Sequence, residues 1–315
     1  MKIAKNVNNL GTELVYDIFS KTKKLESQGK KIIDLSLGQS AESPPEHVIE
    51  ATIKALRDGN NGYTVPNGIL ECREAVSRKI QKLYNAKVSP DRIFIMPGGK
   101  PTMHYAISFF GEPGTEIIYP DPGFPIYESM IRYTGAKPVP YNLSDKNNFN
   151  IDVEKIISLI NDKTRLFIIN NPHNPTGSFA DKSVIDKLAS ALLKFPNVAI
   201  LSDEIYGRLI FEKKEFPSFF NYPDLYERLI ILDGWSKTYA MTGWRLGWGI
   251  WPEKLLDKMF KFCVNNHSCV NAAIQYGAIA ALDGPDDSIN NMVDKFIKRK
   301  NLMCDGLKKI PGIKF

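Results

Sequence analysis

Lys237 and Arg245 stand eight positions apart in DGWSKTYAMTGWRLGWG, among Trp235, Tyr239, Met241, Trp244, Leu246 and Trp248. Lysine and arginine are rarely buried without a partner. An isolated ammonium in apolar company tends to lose its proton rather than stay charged. Such a lysine is a nucleophile, and its usual product with a carbonyl is a Schiff base. An arginine keeps its charge and suits a phosphate. Taken alone, Lys237 reads equally well as a loop lysine and Arg245 as half of a buried ion pair.

Three other segments end an apolar run in polar residues. PGGKPTMHY follows RIFIM. Gly98 and Gly99 let the backbone approach a ligand closely, and Pro101 suits the start of a helix. The N–H groups of Gly99 and Lys100 would then face an anion, as at phosphate-binding helix N-termini; a plain Gly-rich turn is the other reading. NNPHNPTGS follows TRLFII and is a turn by composition. In it Asn174, between His173 and Pro175, can aim an amide at a ligand oxygen. SDEIYGRL follows NVAIL, so Asp203 and Glu204 end a strand, with Tyr206 close behind. A carboxylate there is either a helix cap or a site residue that pairs with a cation in the cleft. The four segments together meet one requirement. Pyridoxal phosphate (PLP) needs a lysine for its aldehyde, an anion for its protonated ring nitrogen, donors for its phenolate, and cations or N–H groups for its phosphate.

The elements that must position these residues alternate along the chain. Strand patterns fall at 92–96, 115–119, 164–170, 197–203, 229–233 and 244–250. Runs such as LFII and LIIL read as strands buried on both faces. Helical patterns fall at 46–59, 70–85, 100–111, 152–161 and 182–195; in the first, Val48, Ala51, Thr52, Ala55 and Leu56 share one face. This alternation predicts an α/β domain with a mostly parallel sheet and a ligand site outside the carboxyl ends of its strands. After Trp251 the chain reads as helical throughout. The expected organisation is an N-terminal segment, 1–45, belonging mainly to a small domain, a large cofactor domain, 46–285, and a linking helix with the start of the C-terminal small domain, 286–315.

The 315 residues are 43% hydrophobic and 24% charged, with a net charge of +6, an ordinary globular balance. The basic residues are scattered over helix-like segments rather than clustered, which argues against nucleic acid. Cys72, Cys263, Cys269 and Cys304 have unrelated spacings and the four histidines are far apart, so neither a metal site nor a disulfide framework is expected. A reduced, cytoplasmic setting fits. No apolar run suggests a signal core or a membrane span. The glycine fingerprints of dinucleotide and P-loop sites are absent.

NNPHNPTG, SDEIY and SKTYAMTGWRLG, in this order, resemble the class I/II aminotransferases, the aspartate aminotransferase group of fold-type I PLP enzymes. The likeness extends over LSLGQ, YTVPNGILECREAV, PGGKP and PDPGFPIYE, nearly the whole chain. It implies a large domain with a mostly parallel seven-stranded sheet flanked by helices, and a small α+β domain. It implies pyridoxal 5'-phosphate as cofactor and ping-pong transfer of an amino group between an L-amino acid and a 2-oxo acid. Lys237 would form the internal aldimine and then act as the base. Asp203 would pair with the pyridine nitrogen, while Asn174 and Tyr206 donate to the phenolic oxygen. Phe124 would stack on the ring. Gly99, Lys100 and Arg245 would hold the phosphate. Tyr63 would reach the phosphate of a neighbouring subunit in a homodimer, and Gly38 and Asn174 would meet the substrate.

Two departures stand out. Gly234, three before the lysine, replaces a hydroxyl that many relatives offer the phosphate. The sequence also stops at IPGIKF, before the family's substrate-clamping arginine, so the chain reads as a fragment with an incomplete small domain. A C–S β-lyase or another carbanion enzyme on the same scaffold, and a catalytically impaired form, are the alternatives. A sensor fused to a DNA-binding module would need a segment before Leu10 that is not there. GQSAESPPEH departs from the commoner phrase at the substrate entrance and suggests a specificity unlike a standard aspartate enzyme. Trp235, Trp244 and Trp248 read as packing residues, and His104 and His173 as packed or surface residues.

Overall fold

The computed structural model describes residues 1–212 and 214–313. Helix α1 (Leu14–Ser27) and helices α2 (Glu46–Arg57) and α3 (Leu70–Tyr84) lead into strand β1 (Ile93–Met96). Strands and helices then alternate: α4 (Lys100–Phe110), β2 (Glu116–Asp121), α5 (Ile126–Thr134), β3 (Lys137–Asn142), α6 (Val153–Ser158), β4 (Thr164–Asn170), α7 (Lys182–Leu192) and β5 (Ala199–Asp203). After β6 (Leu229–Gly234) come a single helical turn, α8 (Trp235–Thr238), and β7 (Gly247–Ile250). The rest is helical: α9 (Leu256–Asn266), α10 (Ala272–Asp283) and α11 (Asp287–Leu307).

The seven strands form one sheet in the order β1-β7-β6-β5-β4-β2-β3. Only β7 runs antiparallel to its neighbours, so the carboxyl ends of β1, β2, β4, β5 and β6 share one edge. In β5 all five residues are buried, and in β4 all but Arg165, as strands covered on both faces must be. One face packs against α4, α5 and α9 through residues such as Met103, Tyr127 and Met259. The other packs against α3, α6, α7 and α10 through residues such as Ile80, Ile156, Leu188 and Ala278. The α2 face read from the sequence packs on α10 with Val48 and Ala55 buried, but Leu56 at its edge is half exposed.

Two strand readings change. The run at 244–250 yields a strand only from Gly247, because Thr242–Trp244 forms a 3-10 turn and Arg245 takes a left-handed conformation, φ 55°. The seventh strand, β3, is KPVPYN, which its two prolines disguise. It lies at the edge of the sheet, where proline is tolerated. Its odd-numbered N–H groups face β2: Lys137 N–H donates to Thr115 O (2.9 Å) and Leu143 N–H to Asp121 O (2.7 Å). Pro138 and Pro140 therefore fall on the outward-facing positions. Among the described residues no helix is long and apolar enough to cross a membrane.

Glycines let three backbone segments meet at the shared strand edge. A Cβ on Gly247 would lie 2.6 Å from Gly98 C and 2.7 Å from Gly99 N, and one on Gly234 would lie 2.7 Å from Gly247 Cα. The end of β6, the start of β7 and the entry to α4 are thus in backbone contact. Gly247→Ala should destabilise the fold by roughly 1–3 kcal/mol, the usual cost of overpacking, read as a lower urea midpoint at unchanged m-value; an unchanged midpoint would show that the segments can separate freely.

Candidate active site

Strand β6 ends at Gly234 and the turn α8 starts at once. Trp235 is fully buried and its Nε1–H donates to Ala278 O (3.1 Å), which fixes the turn against α10. Two residues on, Lys237 points into a cleft. Its Nζ donates to Gly38 O (2.6 Å) and lies 6.0 Å from the Tyr206 ring centroid. Burial lowers the pKa of this amine most; Arg245 and Lys100 lower it further, and Glu13 opposes them.

Arg245 donates through Nη1 to Thr242 O (2.8 Å), and its guanidinium occupies the space where a side chain on Gly98 would lie. Gly98 has φ 92°, so only glycine suits this turn. Gly99 is the N-cap of α4 and supplies no side-chain cap. The first N–H groups of α4 therefore stay available to an anion beside the guanidinium. Lys100 sends its side chain elsewhere. Its Nζ pairs with the mostly buried Glu13 and stands 5.4 Å from the ring centroids of both Tyr16 and Phe124. The N-terminal segment is tied down beside it, where Gly11 N–H donates to Ser129 Oγ (2.9 Å) on α5.

Asp203 ends β5 and is 7% exposed. Its Oδ2 accepts from Tyr127 Oη–H (2.6 Å) and its Oδ1 from Ile205 N–H (3.2 Å). No cation among the described residues forms a salt bridge with it, and burial raises its pKa to about 6. A buried carboxylate without a cation is costly, and a protonated ring nitrogen would offset that cost. Burial, and then Asp203, push the Tyr206 hydroxyl up to about 12. Asn174 N–H donates to Asn170 Oδ1 (2.8 Å), and Asn170 Nδ2–H donates to Asp203 O (3.0 Å), so the loop after β4 is pinned to the end of β5.

The structure therefore places Lys237 against Gly38 O and near the Tyr206 ring, Lys100 near Phe124 and Arg245 at Gly98, with Arg245 and Lys100 close enough to act on the Lys237 amine, and Asp203, Gly99 and Asn174 on the adjoining strand ends. Tyr63 is not among them; it is 94% exposed on the loop before α3. His173 is buried against Thr176 Oγ1 (2.8 Å) and held by burial at a pKa of about 4. His104 is half-buried on α4, and Trp235 and Trp248 are buried in the core with Trp244 packed against it. Sequence reasoning missed Tyr127, which stands one helical turn beyond Phe124 in the same PDPGFPIYE phrase, and whose ring meets the Phe124 ring edge-on at 5.8 Å. It also missed Glu13. These residues fit PLP: an amine of lowered pKa, a buried anion awaiting a cation, phenol and amide donors, and a glycine cradle beside a guanidinium.

Glu204 points away from this site. Its carboxylate is buried and accepts from Ser202 Oγ–H (2.9 Å), Ser218 Oγ–H (2.6 Å) and Phe219 N–H (3.0 Å). These bonds fasten the 218–219 segment to the turn that carries Tyr206, which Gly207 N–H closes onto Glu204 O (2.7 Å). Burial raises the Glu204 pKa to about 7. Both Asp203 and Glu204 have folded pKa values above their ordinary 3.8 and 4.5. Stability linked to them is full below those values and is lost as pH rises through about 6 and about 7. In Glu204→Gln the thermal midpoint of the cofactor-free protein should fall less between about pH 5 and pH 8 than in the parent, because one of the linked carboxyl ionisations is gone. An equal fall would show that Glu204 is not titrating there.

The comparisons with known proteins agree with this geometry. A family model described as aminotransferase class I and II matches residues 30–315. A probable aspartate aminotransferase of Methanocaldococcus jannaschii is 37% identical over 285 residues, 88% of this chain and 74% of that protein. An asparagine–oxo-acid transaminase of Streptococcus mutans is 31% identical over 314 residues, 99% and 79% of the two chains. The crystal structure of the aspartate aminotransferase from Rhizobium meliloti superposes with a TM-score of 0.93 at 28% identity, covering 99% of this chain and 78% of that one. These relatives are transaminases and lend no support to the β-lyase or impaired-enzyme readings. The chain belongs to the class I and II aminotransferases, the PLP-dependent enzymes that act on amino acids and 2-oxo acids.

Proposed function

We propose that Lys237 is the reactive amine of this transaminase and Asp203 the anion that serves its cofactor. The observation that carries the assignment is the pairing of a lowered-pKa amine, held on Gly38 O, with a buried carboxylate that no cation of the described residues satisfies. Bound PLP supplies an aldehyde carbon and an electron-accepting ring. The N–H groups of Gly99 and Lys100 and the Arg245 guanidinium would hold the phosphate. Phe124 would serve the ring, and Tyr206 and Asn174 would donate to its phenolic oxygen. Asp203 would hold the proton on the ring nitrogen, with Tyr127 Oη–H fixing the carboxylate in place. With the cofactor bound, Lys237 Nζ would take the proton from Cα of the amino acid and deliver it to the cofactor carbon that carried the aldehyde, C4′. Its lowered pKa favours the neutral, proton-accepting amine.

Several further assignments belong to the same reading. Residues 1–45 and 286–315 serve a smaller domain beside the 46–285 domain, and the protein works in the cytoplasm. Two copies form a homodimer in which the exposed Tyr63 phenol donates to the partner's phosphate.

Lys237→Ala should yield no borohydride-reducible pyridoxyl adduct on mapped peptides while its circular dichroism stays unchanged; a single adduct persisting elsewhere would remove Lys237 from its role. Asp203→Asn should retain cofactor yet lose on the order of 100-fold or more in kcat, the scale of a lost electrostatic stabiliser. Near-normal turnover in that variant would count against the ring-nitrogen assignment.

A further inference from the structure

Helix α10 is built almost wholly of small and apolar residues, AAIQYGAIAALD, and yet it buries an amide completely: Gln275 is 0% exposed. Burying an amide is costly unless its groups are paired, and here every partner can be named. Oε1 accepts from Ile69 N–H (2.8 Å). Nε2 donates to Val270 O (3.1 Å), Thr64 Oγ1 (3.3 Å) and Asn271 O (3.4 Å). Two of the four partners thus lie in the 64–69 loop. Thr64 Oγ1–H also reaches Val270 O (3.4 Å), and Ile95 N–H on β1 donates to Asn67 O (3.0 Å). Gly68, at φ 89°, passes so close that a Cβ would lie 2.6 Å from Ile95 Cβ and 3.1 Å from Gln275 Oε1.

The loop is therefore fixed at residues 64, 67, 68 and 69, while the residue immediately before this anchored stretch, Tyr63, is 94% exposed. An exposed phenol on a fixed loop loses little freedom when it engages a partner, which is how preorganisation gains affinity. We infer that Gln275 is a positioning residue: from the core of one subunit it holds the 64–69 loop so that Tyr63 is presented to the second copy's cofactor site. The inference rests on the homodimer reading of Tyr63. Gln275 touches neither substrate nor cofactor and acts only through the loop.

The test is a double-mutant cycle read on PLP dissociation from the holoenzyme, with amide hydrogen exchange at Ile69 as a second readout. Tyr63→Phe should weaken PLP retention by about 10-fold or more, as expected for a lost hydrogen bond to a charged group. Gln275→Met should speed Ile69 exchange and weaken retention by about 3-fold or more in the parent, but change it by less than about 2-fold in the Tyr63→Phe background, since residues acting as one unit are not additive. Equal losses in both backgrounds, or no loss in the parent, would overturn the positioning role. No effect of Tyr63→Phe would instead remove the homodimer reading and this inference with it. If Gln275→Met does not fold, Thr64→Val, which deletes the bonds of Thr64 Oγ1 with Gln275 Nε2 and Val270 O at a half-buried site, takes its place in the same cycle with the same outcomes.

Discussion

The active cleft depends on an unbalanced carboxylate. Asp203 sits at the end of a strand buried on both faces, with a phenol and one backbone N–H for company and no cation of the described residues in salt-bridge range. Left so, it would be a liability, because burial favours its neutral form. It becomes an asset once a cationic ring is set against it. The loop after β4, the turn carrying Tyr206 and the first turn of α5 all converge on this residue. Tyr127 bonds its side chain and Asn170 its carbonyl. Glu204, next in sequence, ties the same strand end to the opposite layer. Of the two adjacent acids, one is thus left without a counter-ion at the proposed cofactor site and the other holds the frame.

The second determinant is the electrostatic setting of Lys237. Burial alone would favour its neutral form, and two neighbouring cations add to that effect. Glu13 opposes them from a segment more than 200 positions earlier in the chain. The same carboxylate neutralises Lys100. Charge at position 13 therefore partly offsets the effect of burial and Arg245 on the Lys237 amine while it neutralises Lys100. The backbone contacts among Gly98, Gly234 and Gly247 keep this balance geometric, since α4, β6 and β7 cannot drift apart independently.

Much of this was legible in the sequence, for physical reasons. Strands β4, β5 and β6 are covered on both faces, so they appear as unbroken apolar runs, and the polar segments that follow them are where a parallel sheet must put its ligand. Strand β3 was hidden because proline argues against a strand everywhere except at an edge, and edge position is a property of the sheet rather than of the segment. Tyr127 and Glu13 were hidden because their meaning lies in contacts across 76 and 87 residues of chain. Gln275 was hidden for the opposite reason. A lone glutamine in an apolar helix pattern looks like a surface residue, and only the packing of the 64–69 loop above it reveals that it is inside. Gly234, read as a lost phosphate donor, has a steric reason to be glycine, because its Cα faces Gly247 at backbone distance.

The prolines of β3 carry a consequence of their own. A sheet edge exposes a row of unpaired donors and acceptors on which another extended chain can assemble. In β3 the N–H groups at 137 and 143 turn inward to β2, and the outward-facing positions between them include Pro138 and Pro140, which have no N–H to offer. The β3 margin of the sheet is therefore nearly donorless. A passing strand, from an unfolded copy or a nascent chain, finds acceptors there but no ladder to complete. The interruption that made this segment hard to recognise as a strand is also what makes this edge of the sheet a poor template for a further strand.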